Sequence, residues 1–300
     1  MEVFERVVEE FMCACREESK LTHNTLRMYA CDLQQYGEWV ENRDYCSPEI
    51  IHSYFLYLGE RYSPSTVKRK LATLSAFMSF LQERGHIAFS PFVNMRERVK
   101  VPQRLPKVIS TPTLKQLFAF LYDVSLESAN DVHLLRDRAI FELLIGTGIQ
   151  VSELCALNAS DVDVEGKTLR IVGSGSKERI MQIENSMTLQ ALKDYSARIK
   201  RTSMDRAFFF NGANKRISTR NVRDMIDRRV QKAGICQKIT PQMFRHTFAT
   251  MLVENDVDIR YVQKLLGHSS LRTTEIYTQV KPDKLREIMA LNNPRNQIDR

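Results

Sequence analysis

The apolar residues of the first hundred positions recur with the spacing of amphipathic helices. Thr22 and Asn24 are suitable N-caps for the first stripe, and Ser63 followed by Pro64 begins the third, which Gly85 ends. This pattern predicts a small helical bundle over residues 1–95. The stripes are Leu26, Tyr29, Leu33 and Tyr36; Ile50, Ile51, Tyr54, Phe55 and Leu58; and Val67, Leu71, Leu74, Met78 and Leu81.

The pattern changes after residue 110 and predicts a second domain over 110–300. Two alternating stretches, Lys167 to Val172 and Arg179 to Ile183, flank the glycine-containing turn GSGSKE and predict a hairpin, and Phe208 to Phe210 predicts a third short strand. Helices are expected on both sides of this sheet. The predicted fold class is therefore mainly α with a small antiparallel sheet. The later predicted helices are Ser218 to Ala233, Pro241 to Glu254 and Ile259 to Leu266, the last of which ends at Gly267.

Between the two predicted domains, residues 96–109 lack any periodicity and contain two prolines. We interpret this segment as an extended basic linker, whose charge suits a strap across a phosphate backbone. An ordinary solvated loop is the alternative. The basic residues of the segment are Arg96, Arg98, Lys100, Arg104 and Lys107.

Charge and cysteine usage narrow the class of protein. With 44 Lys and Arg against 36 Asp and Glu, the net charge is +8, which favours a polyanionic partner. The six cysteines lack a CxxC spacing, so reduced thiols are expected; a metal at Cys13 and Cys15 is the weaker alternative. The first residues are acidic and amphipathic, and no apolar run reaches the ~18 residues of a membrane span. A cytoplasmic protein without a membrane partner is expected.

Four segments of the second domain resemble the tyrosine recombinase (phage integrase) family, in particular its Xer-type members. The first hundred residues resemble the helical, SAM-like core-binding domain of that family through NTLRMYACDL and STVKRKLATLSAFMSFL. The resemblance implies a core-binding domain over 1–95, a linker over 96–109, and a catalytic-type domain with a C-terminal exchange tail over 110–300. The four segments are RDRAIFELLIGTGIQVSELCAL, IVGSGSKERI, PQMFRHTFAT and LLGHSSLRTTEIYTQV.

The resemblance implies site-specific cleavage and rejoining of double-stranded DNA, without metal, cofactor or small-molecule substrate. A tyrosine hydroxyl attacks a backbone phosphate and forms a 3′-phosphotyrosine, while positive donors neutralise the phosphate oxygens and a lysine protonates the departing oxygen. Tyr277 matches the nucleophile, and Arg245 and His268 match two of the donors. Without the resemblance, Tyr277 would be a packing residue, His268 a helix-end cap, and Arg245 a partner of a buried carboxylate such as Glu153.

Three positions depart from the family pattern. Gln150 stands where an arginine is expected, Ser174 where the lysine acid is expected, and Gln242 where a histidine is expected. Lys177, three residues after Ser174, is a candidate replacement for the acid. Two hypotheses follow: a weakened DNA strand transferase, or a catalytically impaired relative that occupies DNA sites or assembles with an active recombinase.

Basic residues of both domains are candidates for DNA contacts. Because recombination needs four subunits on paired sites, the resemblance implies a homo- or hetero-tetramer, with the tail from Lys281 to Arg300 docked on a neighbouring protomer; an intramolecular helix is the alternative. Steeply salt-dependent binding is expected. Besides the linker cations, the candidates are Lys68, Arg69 and Lys70, and Arg216, Arg220, Arg223, Arg228, Arg229 and Lys232.

Overall fold

Two compact units make up the chain, Met1–Arg104 and Leu105–Arg300. The computed structural model describes residues 2–17, 21, 23–41, 43–93, 106–123, 131–173, 178–199, 206–267 and 282–298. Each unit has its own hydrophobic core. None of the helices in these ranges is both long and apolar enough to cross a bilayer.

The first unit is built from four helices: α1 (Glu2–Glu17), α2 (His23–Val40), α3 (Pro48–Arg61) and α4 (Pro64–Glu83). Ser63 precedes Pro64 at the start of α4, as the sequence predicted. Helix α3 begins in the same way, although its start was not predicted: the hydroxyl of Ser47 accepts the backbone N–H of Ile50 ahead of Pro48. The apolar stripes meet in a core that includes Tyr36, Leu58, Phe77 and Leu81. The helical bundle is confirmed.

The second unit surrounds a central helix. Its elements are α5 (Thr111–Tyr122), α6 (Val132–Thr147), α7 (Val151–Ala156), β1 (Val162–Asp163), β2 (Thr168–Val172), β3 (Glu178–Gln182), α8 (Ser186–Arg198), α9 (Thr219–Lys232), α10 (Pro241–Glu254), α11 (Ile259–Leu266) and α12 (Pro282–Leu291). Helix α6 is buried over nearly its whole circumference and packs against α5, α8 and α10. Its apolar residues therefore occupy every face rather than one stripe.

The sheet is antiparallel in the order β1-β2-β3, and the register pairs Arg170 with Ile180 across the hairpin. The hairpin agrees with the sequence prediction, but the third strand does not. Ala207 and Phe210 form only isolated bridges, to Asn158 and Arg216, and Phe208 and Phe209 between them pack on the ring of Tyr195 outside the sheet. The third strand is β1, which pairs Val162 with Leu169. The fold class, mainly helical with one small antiparallel sheet, is confirmed.

Residues 282–298 pack onto the same unit. Ile288, Met289 and Ile298 join its core. Arg295 is 1% exposed, and its Nε donates to both carboxylate oxygens of the fully buried Glu142, at 3.0 and 2.8 Å. The structure therefore has the intramolecular arrangement of the C-terminal segment, and docking on a neighbouring protomer stays a prediction.

Candidate active site

A pocket of about 270 Å³ lies where the N-terminal ends of α7 and α10 meet α9. Its lining includes two glutamines and two arginines, Gln150, Arg223, Gln242 and Arg245, beside the hydroxyl-bearing Ser152 and Thr240. Three of them were singled out from the sequence as catalytic positions or departures from them, and Arg223 was singled out as a DNA-binding cation. The tertiary structure brings Gln150, at the start of α7, to the same place as the three residues from α9 and α10.

Arg245 is the buried cation of the pocket, with 4% of its surface exposed. Its Nη1 donates to the carbonyl of Gly148 at 2.9 Å and its Nη2 to the carbonyl of Leu266 at 2.8 Å. Burial lowers the pKa of Arg245; the charge of Glu153 opposes that shift, and the like charge of Arg179 adds to it. These contacts leave donors of the planar guanidinium available for a further anion.

Both carbonyls that hold Arg245 lie at helix C-termini closed by a left-handed glycine. Gly148 ends α6 with φ 60° and Gly267 ends α11 with φ 69°. At Gly148 a Cβ would lie 2.5 Å from Cδ1 of Phe248. Glycine is required there both for its backbone conformation and for the close approach, which fixes the position of one Arg245 acceptor.

Glu153 forms its ion pair with Arg179 and not with Arg245. The two Nη atoms of Arg179 donate to the two carboxylate oxygens of Glu153 at 2.7 and 2.8 Å. The backbone N–H of Gln150 donates to Oε2 of the same carboxylate at 2.9 Å. The alternative pairing for Arg245 is thus not the one observed. Sequence reasoning did not single out Arg179. The spacing of Glu153 three residues after the N-cap Gln150 was the available signal for the capping contact.

The two glutamines are exposed at the starts of their helices. Gln150 is the N-cap of α7 in an extended conformation, and Gln242 lies in the first turn of α10. Gln242 Nε2 is 3.3 Å from Nε2 of His246, one helical turn on. Sequence reasoning missed His246, although the i, i+4 spacing places it beside Gln242. Both glutamines offer the pocket neutral donors and no charge.

Arg223 belongs to α9, which packs on α7. Burial raises the pKa of the Cys155 thiol on α7 to about 11, while the nearby positive charges of Arg223 and Arg216 act in the opposite direction. Arg223 is exposed, and no described residue forms a hydrogen bond or ion pair with its guanidinium. The pocket thus has a second cation, which no anion among the described residues holds.

The remaining predicted site residues, Ser174, Lys177, His268 and Tyr277, lie outside the described residues. In the parts of the chain that the structure describes, no group of three or more His, Cys, Asp and Glu side chains is placed to hold a metal ion.

Comparisons with known proteins identify the family. The pattern described as Phage integrase family matches residues 110–284, and the pattern described as Phage integrase, N-terminal SAM-like domain matches residues 8–85. The chain belongs to the phage integrase family of tyrosine recombinases. This membership supports site-specific recombination as its process.

Similar proteins span nearly the whole recombinase chain. The tyrosine recombinase of Agathobacter rectalis is 36% identical over 294 residues, covering 96% of each chain. The tyrosine recombinase XerC of Myxococcus xanthus is 33% identical over 301 residues, covering 96% of this chain and 98% of that one.

Solved structures share the fold at lower sequence identity. The XerH site-specific recombinase bound to a palindromic difH substrate has a TM-score of 0.71 at 20% identity, covering 95% of this chain and 84% of that chain. A lambda integrase dimer bound to a COC′ core site has a TM-score of 0.70 at 15% identity, covering 93% and 98%.

The candidate DNA-binding cations of the first unit differ in their surroundings. Lys68 is exposed. Arg69 forms an ion pair with Asp32, and Lys70, which is 4% exposed, forms one at 3.0 Å with the same carboxylate and a hydrogen bond with Gln35. The burial of Lys70 and its ion pair with Asp32 argue against a phosphate contact, and DNA binding by Lys70 stays a prediction.

In the second unit of the recombinase, Lys107, Arg220, Arg223, Arg228 and Lys232 are exposed. Two other predicted cations are held by the protein. Arg216 donates to the carbonyls of Cys155 and Leu157, and the buried Arg229 pairs with Asp137 at 2.9 Å. These contacts argue against a phosphate contact for the buried Arg229, whereas Arg216 is exposed and its contact with DNA stays a prediction. Arg96, Arg98, Lys100 and Arg104 lie outside the described residues.

Proposed function

We propose that the chain cleaves and rejoins double-stranded DNA at specific sites through a 3′-phosphotyrosine on Tyr277. The observation that carries this proposal is Arg245, a buried guanidinium held by Gly148 and Leu266 at the wall of a pocket that a phosphate group fits. A cation fixed in advance is what a developing phosphate charge requires.

In the proposed reaction, the oxygen of the Tyr277 hydroxyl attacks the phosphorus and gives its proton to a water molecule, while the bond from phosphorus to the 5′ oxygen breaks. The departing 5′ oxygen takes a proton from Lys177 or a water molecule. Arg245 and His268 neutralise the non-bridging oxygens. A second 5′ hydroxyl then attacks the phosphotyrosine, which restores Tyr277 and rejoins DNA without a cofactor.

Neutral donors weaken this chemistry. Removal of one preorganised donor to a developing oxyanion costs about 3 to 4 kcal/mol in known enzymes, or roughly 10² to 10³ in rate. The losses at Gln150, Ser174 and Gln242 need not add, because groups that act together are strongly non-additive. Slow cleavage is therefore expected.

A second candidate function is a recombinase-like DNA-binding protein that occupies sites or partners an active recombinase. Gln150 and Gln242 favour it, because both stand at the pocket as neutral groups while its framework, Arg245 and the Glu153–Arg179 pair, is intact. Binding to DNA needs the framework and the cations, whereas cleavage also needs the charged donors.

A covalent-trap assay separates the two candidates. The DNA is a duplex selected by the purified chain from a random-sequence pool, and a nick beside the cleavage position lets the short product diffuse away. Strand transfer predicts a protein–DNA adduct that Tyr277→Phe abolishes without changing affinity. If no adduct forms at saturating protein while the duplex stays bound, the binding function replaces strand transfer.

Restoration of the missing donors tests the account of why cleavage is slow. Gln150→Arg, Ser174→Lys and Gln242→His together should raise the rate of adduct formation by at least about 10²-fold, the effect of one donor. A triple variant that binds DNA and stays as slow as the wild type would contradict this explanation.

We also propose that residues 96–109 strap the duplex between domains 1–95 and 110–300, and that four subunits assemble on two paired sites with exchanged C-terminal segments. Support comes from the basic residues of that segment and from the exposed Lys68, Lys107 and Arg220. Sedimentation of the chain with two-site DNA should give a complex with four protein chains; a stable mass with one chain per site would contradict the assembly.

A further inference from the structure

The pocket beside Arg245 lacks a positive charge at Gln150. Gln150 is the N-cap residue of α7 and its side chain carries no charge, and the only buried cation at the pocket wall among the described residues is Arg245. Its volume of about 270 Å³ equals that of roughly nine water molecules at ~30 Å³ each. A backbone phosphate fits this space, and its charge exceeds what one guanidinium neutralises as a nucleophile attacks.

Arg223 has the position and the freedom to supply a second charge. It lines the same pocket as Gln150 and Arg245, and it comes from α9, the helix packed against α7. We propose that Arg223 contacts the DNA phosphate in this pocket and supplies the positive charge that Gln150 lacks. The proposal rests on the proposed function and names a residue that the family positions do not include.

The other nearby arginines are held by partners. Arg179 is paired through both Nη atoms with Glu153, Arg216 with main-chain carbonyls, and Arg229 with Asp137. In contrast, no described residue holds the guanidinium of Arg223 through a hydrogen bond or ion pair. Its planar fork suits two non-bridging phosphate oxygens, which a lysine in its place would contact only as a point charge.

The solvent exposure of Arg223 limits how strongly it stabilises the phosphate charge. A buried arginine such as Arg245 is already ordered, whereas an exposed one must be ordered on the phosphate each time DNA binds. Arg223 therefore replaces the missing donor in part, and Gln150→Arg should make it largely dispensable. This dependence distinguishes a contact in the pocket from a general contribution of positive charge to DNA binding.

The first experiment measures the rate of adduct formation at saturating protein on the selected nicked duplex. Arg223→Gln should slow the rate about 10²-fold in the wild-type background, the effect of one oxyanion donor, and less than about threefold in the Gln150→Arg background. Arg223→Lys should recover part of the loss. The matched control is Arg220→Gln on the same helix, whose effect should be equal in both backgrounds.

Two results of this experiment overturn the proposal. In the first, Arg223→Gln slows adduct formation by the same factor in the wild-type and the Gln150→Arg backgrounds. In the second, Arg223→Gln slows it no more than Arg220→Gln does. Thermal unfolding of each variant separates these outcomes from misfolding, since Arg223 is exposed and its loss should leave stability unchanged.

A second experiment does not depend on cleavage. In a Tyr277→Phe chain, affinity is measured for duplexes that each carry one uncharged methylphosphonate linkage. One linkage should weaken binding less in Arg223→Gln than in the parent, and Arg220→Gln should not alter the effect of that linkage. Identical profiles for Arg223→Gln and the parent overturn the inference. Absence of any adduct in the first experiment, with the coupling present in the second, contradicts only the cleavage function.

Discussion

Arg179 and Glu153 form a two-pronged ion pair beneath the candidate active site, with Nη1 to Oε1 at 2.7 Å and Nη2 to Oε2 at 2.8 Å. The pair joins β3 to α7, and the backbone N–H of Gln150 donates to the same carboxylate. Its side chains are 15% and 8% exposed, so the pair is mostly desolvated. It therefore holds the start of α7, and with it Gln150, against the sheet.

Glu153→Gln should destabilise the chain strongly. The change leaves the mostly buried Arg179 without its counter-charge, and loss of one partner of a buried pair costs about 3 to 5 kcal/mol. Urea unfolding followed by circular dichroism measures it. Glu165→Gln is the control, since its pair with Lys193 is exposed and 3.6 Å long, and it should change stability by less than about 0.5 kcal/mol. Equal effects of the two variants would argue against a structural role for the Arg179 pair.

Gly148→Ala should cost more than a left-handed glycine usually does. Positive φ alone costs a residue with a Cβ about 1 to 2 kcal/mol. Here the new methyl also lies 2.5 Å from Phe248, which adds about 1 to 3 kcal/mol of overpacking. Gly234→Ala is the matched control, because its φ is +69° and its nearest neighbour is 3.9 Å away. Thermal unfolding should rank the two; a cost at Gly148 no greater than at Gly234 would contradict the close approach.

Asp32 should make the free energy of unfolding of the first unit depend on pH. Burial raises the pKa of Asp32, but the hydrogen bonds and charges of Arg69 and Lys70 outweigh it, so the pKa lies below its usual value. A lowered folded-state pKa means stabilisation that is complete above the ordinary aspartate pKa, about 3.9, and is lost as the pH falls through the lowered value. Asp32→Asn should therefore cost about 3 to 5 kcal/mol at pH 7.

The difference between wild type and Asp32→Asn should stay constant from pH 7 to about pH 5 and shrink below about pH 4. Urea unfolding at each pH measures it, with fluorescence of the single tryptophan, Trp39, which packs on Tyr54 and Tyr57 in the first unit. A difference that grows on acidification would have the opposite sign and would contradict the assignment.

Arg295→Met should loosen the C-terminal segment. The variant removes the partner of Glu142, which is fully buried, and a stack at 4.5 Å over the ring of Phe118, so a loss of about 3 to 5 kcal/mol is expected. Hydrogen exchange in residues 282–298 should accelerate. Arg286, on the same segment, is 61% exposed and pairs with Glu184, so Arg286→Ala should cost less than about 1 kcal/mol. Unchanged exchange in Arg295→Met would show that the apolar contacts of Ile288 and Met289 suffice.

The local spacing of apolar residues and of capping residues predicted the helices and strands that have one exposed and one buried face. Helix α4 follows from its apolar stripe and its start at Ser63 and Pro64, and α11 follows from its end at Gly267, because periodicity and caps act within a few residues. Helix α6 carries no such stripe, since it is buried on nearly every face, and only the resemblance of its residues to a known family marked it. The strand β1 has two residues, too few for a pattern.

The sequence by itself determined the fold class, the family and the neutral residues at positions 150, 174 and 242, since these depend on residue types and their order. Only the tertiary structure decided which cations are available. Lys70 meets Asp32 across 38 positions and Arg229 meets Asp137 across 92, whereas Arg223 reaches a pocket with Arg245 and finds no described anion. Packing between distant segments sets the partner of a charge, and local sequence does not encode it.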